Sequence, residues 1–168
     1  MKTVEKNIIL NHDEITHKIR RIAYQIYESN VNEKEVILAG IDTNGYILAK
    51  KLKTILSKIA PISPILCRVE IDKKNPRNTI KTSLKIEEYT NKSVVLIDDV
   101  LNSGTTLIYG VKHFLDVPLK RFKTAVLVNR NHKKYPVKAD FKGISLSTSL
   151  HEHVEVILNN KPYQVYLK

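Results

Sequence analysis

The chain has no tryptophan, one cysteine, one methionine and five glycines in 168 residues. A single cysteine, Cys67, excludes an intrachain disulfide and fits a reducing, cytoplasmic setting. Cys67 lies in an apolar strand-like run and reads as packing rather than as a nucleophile. Five glycines cannot furnish several glycine-rich loops, and neither a Walker A loop, a G-x-G-x-x-G turn nor a G-x-S-x-G elbow occurs. No stretch approaches the roughly 18 consecutive apolar residues of a membrane helix. The opening "MKTVEKNIILNHDEI" lacks the apolar core of a secretory signal. His151 and His153 stand two apart with no second ligand pair, which leaves them without the makings of a structural metal site. Acidic side chains are also in deficit, 17 against 28 lysines and arginines, for a net charge of +11.

That surplus suits an anionic partner: a phosphorylated metabolite, a nucleic acid or an acidic membrane surface. It is concentrated. Residues 120–142 carry eight basic side chains against one aspartate, and residues 73–85 carry five and no acid. Any one of these lysines also reads simply as solvated surface.

What is present is enough for one domain, with 42% hydrophobic residues to form its core. Residues 13–29 place Ile15, Ile19, Ile22, Ala23 and Ile26 at helical spacing, with Asp13 as an expected N-cap. "EVILAGI" (35–41) reads as a buried strand, 45–59 as an amphipathic helix and 63–71 as another strand. Residues 72–92 are polar and basic and read as a long loop, of the kind that is usually functional. A strand from 93, a helix over 105–116 and a strand over 122–128 follow. The tail, 153–168, alternates in period two around Asn159–Asn160 and reads as a β-hairpin. Alternating strands and helices predict an α/β fold with a mostly parallel central sheet flanked by helices. Ligands of such sheets sit at the carboxyl ends of the strands.

One such end is "VVLIDDVLNSGTTL", residues 94–107. Four apolar residues run into Asp98 and Asp99, and Gly104 follows among Ser103, Thr105 and Thr106. Small hydroxyl residues and a glycine opening a helix make a cradle of N–H groups for phosphate. Two carboxylates cannot bind that phosphate, but they suit sugar hydroxyls, a divalent metal or a developing cation. The whole pattern reads as a ribose-phosphate site; an acid pair beside an ordinary helix cap is the alternative.

This stretch resembles the phosphoribosyl-pyrophosphate motif of type I phosphoribosyltransferases. "RRIAYQIYE", "LAGIDTNGYILAKKL", "AVLVNRNHKKYPVKADFKG" and "STSLHEHVEVIL" extend the resemblance, in order, to the family of pyrimidine operon attenuation regulators that are also uracil phosphoribosyltransferases. The resemblance implies one phosphoribosyltransferase domain over 1–168, with a core of about 11–128 and a small hood from the N-terminal strand and 129–168. It assigns Asp98 and Asp99 to the ribose hydroxyls and catalysis, and Asn102, Ser103, Gly104, Thr105 and Thr106 to the 5′-phosphate. Ile41, Asp42, Thr43, Asn44 and Gly45 become the pyrophosphate loop. Lys73, Lys74 and Arg77 sit in the loop that closes over substrate. Arg130 and Phe141 fall at the base, with Phe141 the stacking candidate.

It further implies Mg2+, held through the substrate and by Asp98 and Asp99, RNA as a second partner, no membrane, and a homo-oligomer, dimer or tetramer. Departures are concentrated in the loops. Asp42 and Asn44 stand where the regulators carry arginines. Asn102 stands where 6-oxopurine enzymes carry an aspartate able to handle a purine proton, which leans the expected substrate toward a pyrimidine, uracil first.

Overall fold

The computed structural model describes residues 6–130, 132–147 and 151–168. Asn131 and residues 148–150, which belong to two of the resemblance motifs, lie outside the described residues. The elements run β1 (Asn7–Leu10), α1 (His12–Glu28), β2 (Glu35–Ile41), α2 (Asn44–Ile59), β3 (Ser63–Glu70), β4 (Lys81–Thr82), α3 (Ile86–Tyr89), β5 (Ser93–Leu101), α4 (Thr105–Phe114), β6 (Arg121–Arg130), β7 (Phe141–Leu146), β8 (Val154–Ile157) and β9 (Gln164–Leu167).

The main sheet has the order β4-β3-β2-β5-β6-β7 and is parallel except for β4, which pairs antiparallel with β3. Strand alternation divides its core in two. Val36, Leu38, Val95 and Ile97 pack under α1 and α2, while Ile37, Ala39, Val94 and Leu96 pack with Leu107 and Phe114 of α4. A second sheet, β1-β9-β8, is antiparallel and joins the N-terminal strand to the C-terminal hairpin. No helix among the described residues is long and apolar enough to cross a membrane.

Several elements differ from expectation. Asn11, not Asp13, caps α1: it accepts the Glu14 N–H at 2.9 Å while the Glu14 carboxylate accepts the Asn11 N–H at 3.2 Å. Residues 72–92 are not one open loop. Lys81–Thr82 returns to pair with Val69 and Glu70, and Tyr89 is buried edge-on against Phe114 with ring centroids 5.0 Å apart. The strand carrying the acid pair runs to Leu101, so Asp98 and Asp99 lie within β5 rather than at its end. β7 had no sequence signal of its own, because Lys142, Gly143 and Ser145 break its apolar pattern; it extends the main sheet beyond residue 128. Its exposed edge is covered by Arg21, whose guanidinium donates to the Lys142 and Gly143 carbonyls at 2.8 and 2.7 Å.

Candidate active site

The carboxyl ends of β5 and β6 open into a cavity of about 270 Å³. Residues 98–107 form most of its wall, with Lys73, Val126 and Val154 completing it. Alternation along β5 sends Asp98 to the α4 side with Leu96, and Asp99 to the α2 side with Ile97.

Asp98 is 4% exposed, and the Lys73 ammonium lies 3.9 Å from its Oδ1. Burial first, then the neighbouring Asp99 charge, pushes the Asp98 carboxyl well above the usual carboxylate range, and Lys73 opposes that rise. Close packing enforces the burial. A Cβ on Gly45, at the start of α2, would fall 2.6 Å from the Ile97 carbonyl oxygen and 3.0 Å from the Asp98 Cα. Asp99 is held by two donors: the Val100 N–H at 2.9 Å on Oδ1 and the Asn44 side-chain amide at 3.0 Å on Oδ2. The same Asn44 nitrogen donates to the Val156 carbonyl in β8 at 3.1 Å.

The phosphate-type loop is built by Gly104, which has φ +86° and supplies the N-cap position of α4 without a side-chain cap. The Thr105 N–H donates to Ser103 Oγ at 3.3 Å, and the open end of the helix is suited to an anion. Ser103 Oγ and Thr105 Oγ1 share a hydrogen bond of 2.8 Å across the loop. The segment after β6 braces it from behind. The Lys134 and Tyr135 N–H groups donate to the Ser103 carbonyl at 2.7 and 3.3 Å, and a Cβ on Gly104 would fall 2.6 Å from Val137 Cγ1.

Asn102, Ser103, Gly104, Thr105 and Thr106 thus share one wall with Asp98 and Asp99. Ile41 is fully buried, and Thr43 and Asn44 open α2 through a cis Asp42–Thr43 peptide. Asp42, like Ile41, Thr43, Asn44 and Gly45, does not line the cavity. It turns toward β3, its carboxylate 3.8 Å from Arg68 Nε, beside Glu70 and Asp72.

Of the three basic candidates in the 72–80 loop, only Lys73 reaches the cavity. The Asp72 carboxylate accepts the Lys74 and Asn75 N–H groups and the Asn78 amide, at 3.0, 3.2 and 3.0 Å, and folds the loop on itself. Arg77 therefore lines a separate cleft with Tyr109 and Lys112 of α4.

Arg130 is 5% exposed and is no surface arginine: it donates to Asn102 Oδ1 at 3.1 Å and to the Glu152 carbonyl at 2.7 Å. Phe141 is not brought to the cavity. It opens β7 opposite Ala125, five residues short of Leu146, or about 16 Å along the strand, and packs against the apolar core. Sequence reasoning missed the wall residues Val126 and Val154 and the bridge through Asn44, because apolar lining and amide hydrogen bonds have no spacing signature.

The sequence profile of the phosphoribosyl transferase domain matches residues 6–161. The chain belongs to the phosphoribosyltransferase family. Proteins named Bifunctional protein PyrR are similar over nearly the whole length. The one from Fusobacterium nucleatum is 37% identical over 92% of this chain and 92% of its own. The one from Macrococcus caseolyticus is 32% identical over 98% and 100%. In fold, the chain is similar to a hypoxanthine-guanine phosphoribosyltransferase from Bacillus anthracis, with TM-score 0.78 and 17% identity over 97% of both chains. A hypoxanthine phosphoribosyltransferase of Trypanosoma cruzi gives TM-score 0.78 at 16% identity over 96% of this chain and 95% of its own. The phosphoribosyltransferase fold is therefore the observed one, and Asp98–Thr106 lies where its strand β5 meets α4.

Proposed function

We propose that this phosphoribosyltransferase transfers ribose 5-phosphate from phosphoribosyl pyrophosphate to uracil, forming UMP and pyrophosphate. The observation that carries the reading is the wall shared by an acid pair and a helix N-terminus without a side-chain cap, the first suited to hydroxyls and the second to a phosphate. In this reading Asp98 and Asp99 accept hydrogen bonds from the ribose hydroxyls and stabilise the positive charge that develops on the sugar ring. The N–H groups of residues 104–106, with the Ser103, Thr105 and Thr106 hydroxyls and Asn102, take the 5′-phosphate. The start of α2 at Thr43–Gly45 faces the departing pyrophosphate, and Lys73 supplies the cation beside it. The C1–oxygen bond to pyrophosphate breaks, the bond to the base nitrogen forms on the opposite side, and the proton of that nitrogen passes to the departing pyrophosphate or to water.

Asp42 presents no negative charge to that pyrophosphate, because it is turned toward Arg68. Arg130 fixes Asn102 and the segment at Glu152, and so shapes the end where a base enters. Asn102 has no proton-accepting role near neutrality, which favours a pyrimidine.

The carboxylates also fit magnesium. Among the described residues no three His, Cys, Asp or Glu side chains converge on one point, and two carboxylates with substrate oxygens match a hard cation that keeps several waters. Asp98 and Asp99 would hold it, and it would offset pyrophosphate charge. The reading includes a cytoplasmic setting and a dimer or tetramer.

The test is Asp98→Asn combined with Asp99→Asn. Pyrophosphate release should fall by at least about a hundredfold, in keeping with loss of preorganised electrostatic stabilisation; unchanged turnover would contradict the site.

A second reading rests on the net charge of +11 and on relatives named bifunctional: nucleotide-dependent RNA binding in the regulation of pyrimidine genes. It predicts an RNA affinity whose logarithm falls linearly with log salt, with sequence preference surviving at about 150 mM. Weak binding indifferent to sequence would contradict it.

A further inference from the structure

Asn44 belongs by position to the pyrophosphate loop, yet its side chain is spent elsewhere. Its amide nitrogen has two hydrogens. One goes to Asp99 Oδ2 at 3.0 Å and the other to the Val156 carbonyl at 3.1 Å. Three parts of the molecule therefore meet at one group: the start of α2, the second aspartate of β5, and the middle of β8 in the small sheet. We propose that Asn44 is a positioning residue, which sets the Asp99 carboxylate for the ribose and ties the small sheet over the cavity. The inference rests on the ribose role of Asp99 given above.

The chemistry favours this assignment. An amide donor on Oδ2 and the Val100 N–H on Oδ1 fix the carboxylate plane and leave each oxygen a further lone pair for a ribose hydroxyl. Both acceptors of Asn44 are oxygens, so the amide must present nitrogen to them, and this orientation follows from its neighbours. Asp99 cannot satisfy Val156, nor Val156 Asp99, because both only accept. A single double donor between them is what lets a carboxylate and a carbonyl approach the same spot. A longer cationic side chain could reach the pyrophosphate; the short amide of Asn44 instead spends both hydrogens on the protein. Val154, two residues along β8 from Val156, lines the cavity, so the tie acts on the cavity wall itself.

Two variants test this. Asn44→Ala removes both hydrogen bonds. Asn44→Asp keeps the shape but sets a third acceptor against two others. The proposal predicts a KM for phosphoribosyl pyrophosphate raised about tenfold or more in Asn44→Ala, the scale of one lost hydrogen bond to a charged group. It predicts a larger rise in Asn44→Asp, and faster amide hydrogen exchange across residues 154–157 and 164–167 in both, while exchange in 35–41 stays as in the parent. A residue that only fills space would make Asn44→Asp the milder variant and leave KM alone; that ordering would overturn the proposal, as would unchanged exchange in the small sheet. A parent protein that turns over no base would defeat the functional reading instead. The exchange measurement and direct binding of phosphoribosyl pyrophosphate would still decide the role of Asn44.

Discussion

The Asp98 carboxyl is buried beside a second carboxylate, and its proton affinity is raised by burial first and by Asp99 second. The native state therefore binds that proton more tightly than the unfolded chain, whose ordinary value is 3.8. Stability contributed at this position falls as pH rises from that value through the raised one. Asp98→Asn removes the penalty. At pH 7 the variant should be more stable than the parent, with a higher melting temperature. The gap should close in melts below about pH 4, where the parent carboxyl is protonated in both states. A variant less stable than the parent at pH 7 would show that Asp98 is held by contacts stronger than its burial cost. Asp98, Asp99, Gly104 and the hydroxyls, which share the cavity wall, were legible at this scale because a ribose-phosphate site would call for those residue types in a short contiguous run. Phe141 was not, because residue type alone does not say at which end of a strand an aromatic stands.

The β3–β4 connection is the element on which the closing-loop expectation rests, and the structure divides its three basic residues. Lys73 faces Asp98, while the Asp72 turn sends Arg77 to a cleft on α4. Lys73→Ala should lower kcat/KM for phosphoribosyl pyrophosphate about 10- to 100-fold, the scale of a lost charge-assisted contact. Arg77→Ala should change it by less than about threefold, as expected for a side chain outside the cavity. Steady-state kinetics on the two variants checks this. Equal losses would mean that the loop rearranges to bring both to the pyrophosphate. The strands and helices of the main sheet were readable from apolar periodicity. β4, α3 and β7 were not: β4 is held by only two pairs with β3, α3 by one buried tyrosine, and β7 by its pairing with β6 and an arginine from a distant helix. Such long-range contacts leave no local pattern.

At the scale of the whole molecule, the main sheet supplies the acid pair and the loop at 102–106, and Asn44 joins the acid pair to the small sheet while Arg130 joins that loop to the segment just before β8. Both bridges join residues far apart in sequence, from 44 to 156 and from 130 to 102. The sequence therefore shows the reaction class more readily than the base, because the base end is assembled from buried polar contacts across elements. Purified protein with phosphoribosyl pyrophosphate and magnesium, offered uracil, orotate, cytosine, hypoxanthine, guanine, adenine and xanthine one at a time, should release pyrophosphate and form a nucleotide with uracil alone. Turnover of a purine in place of uracil would contradict the account, and would place the choice of base in groups other than Asn102.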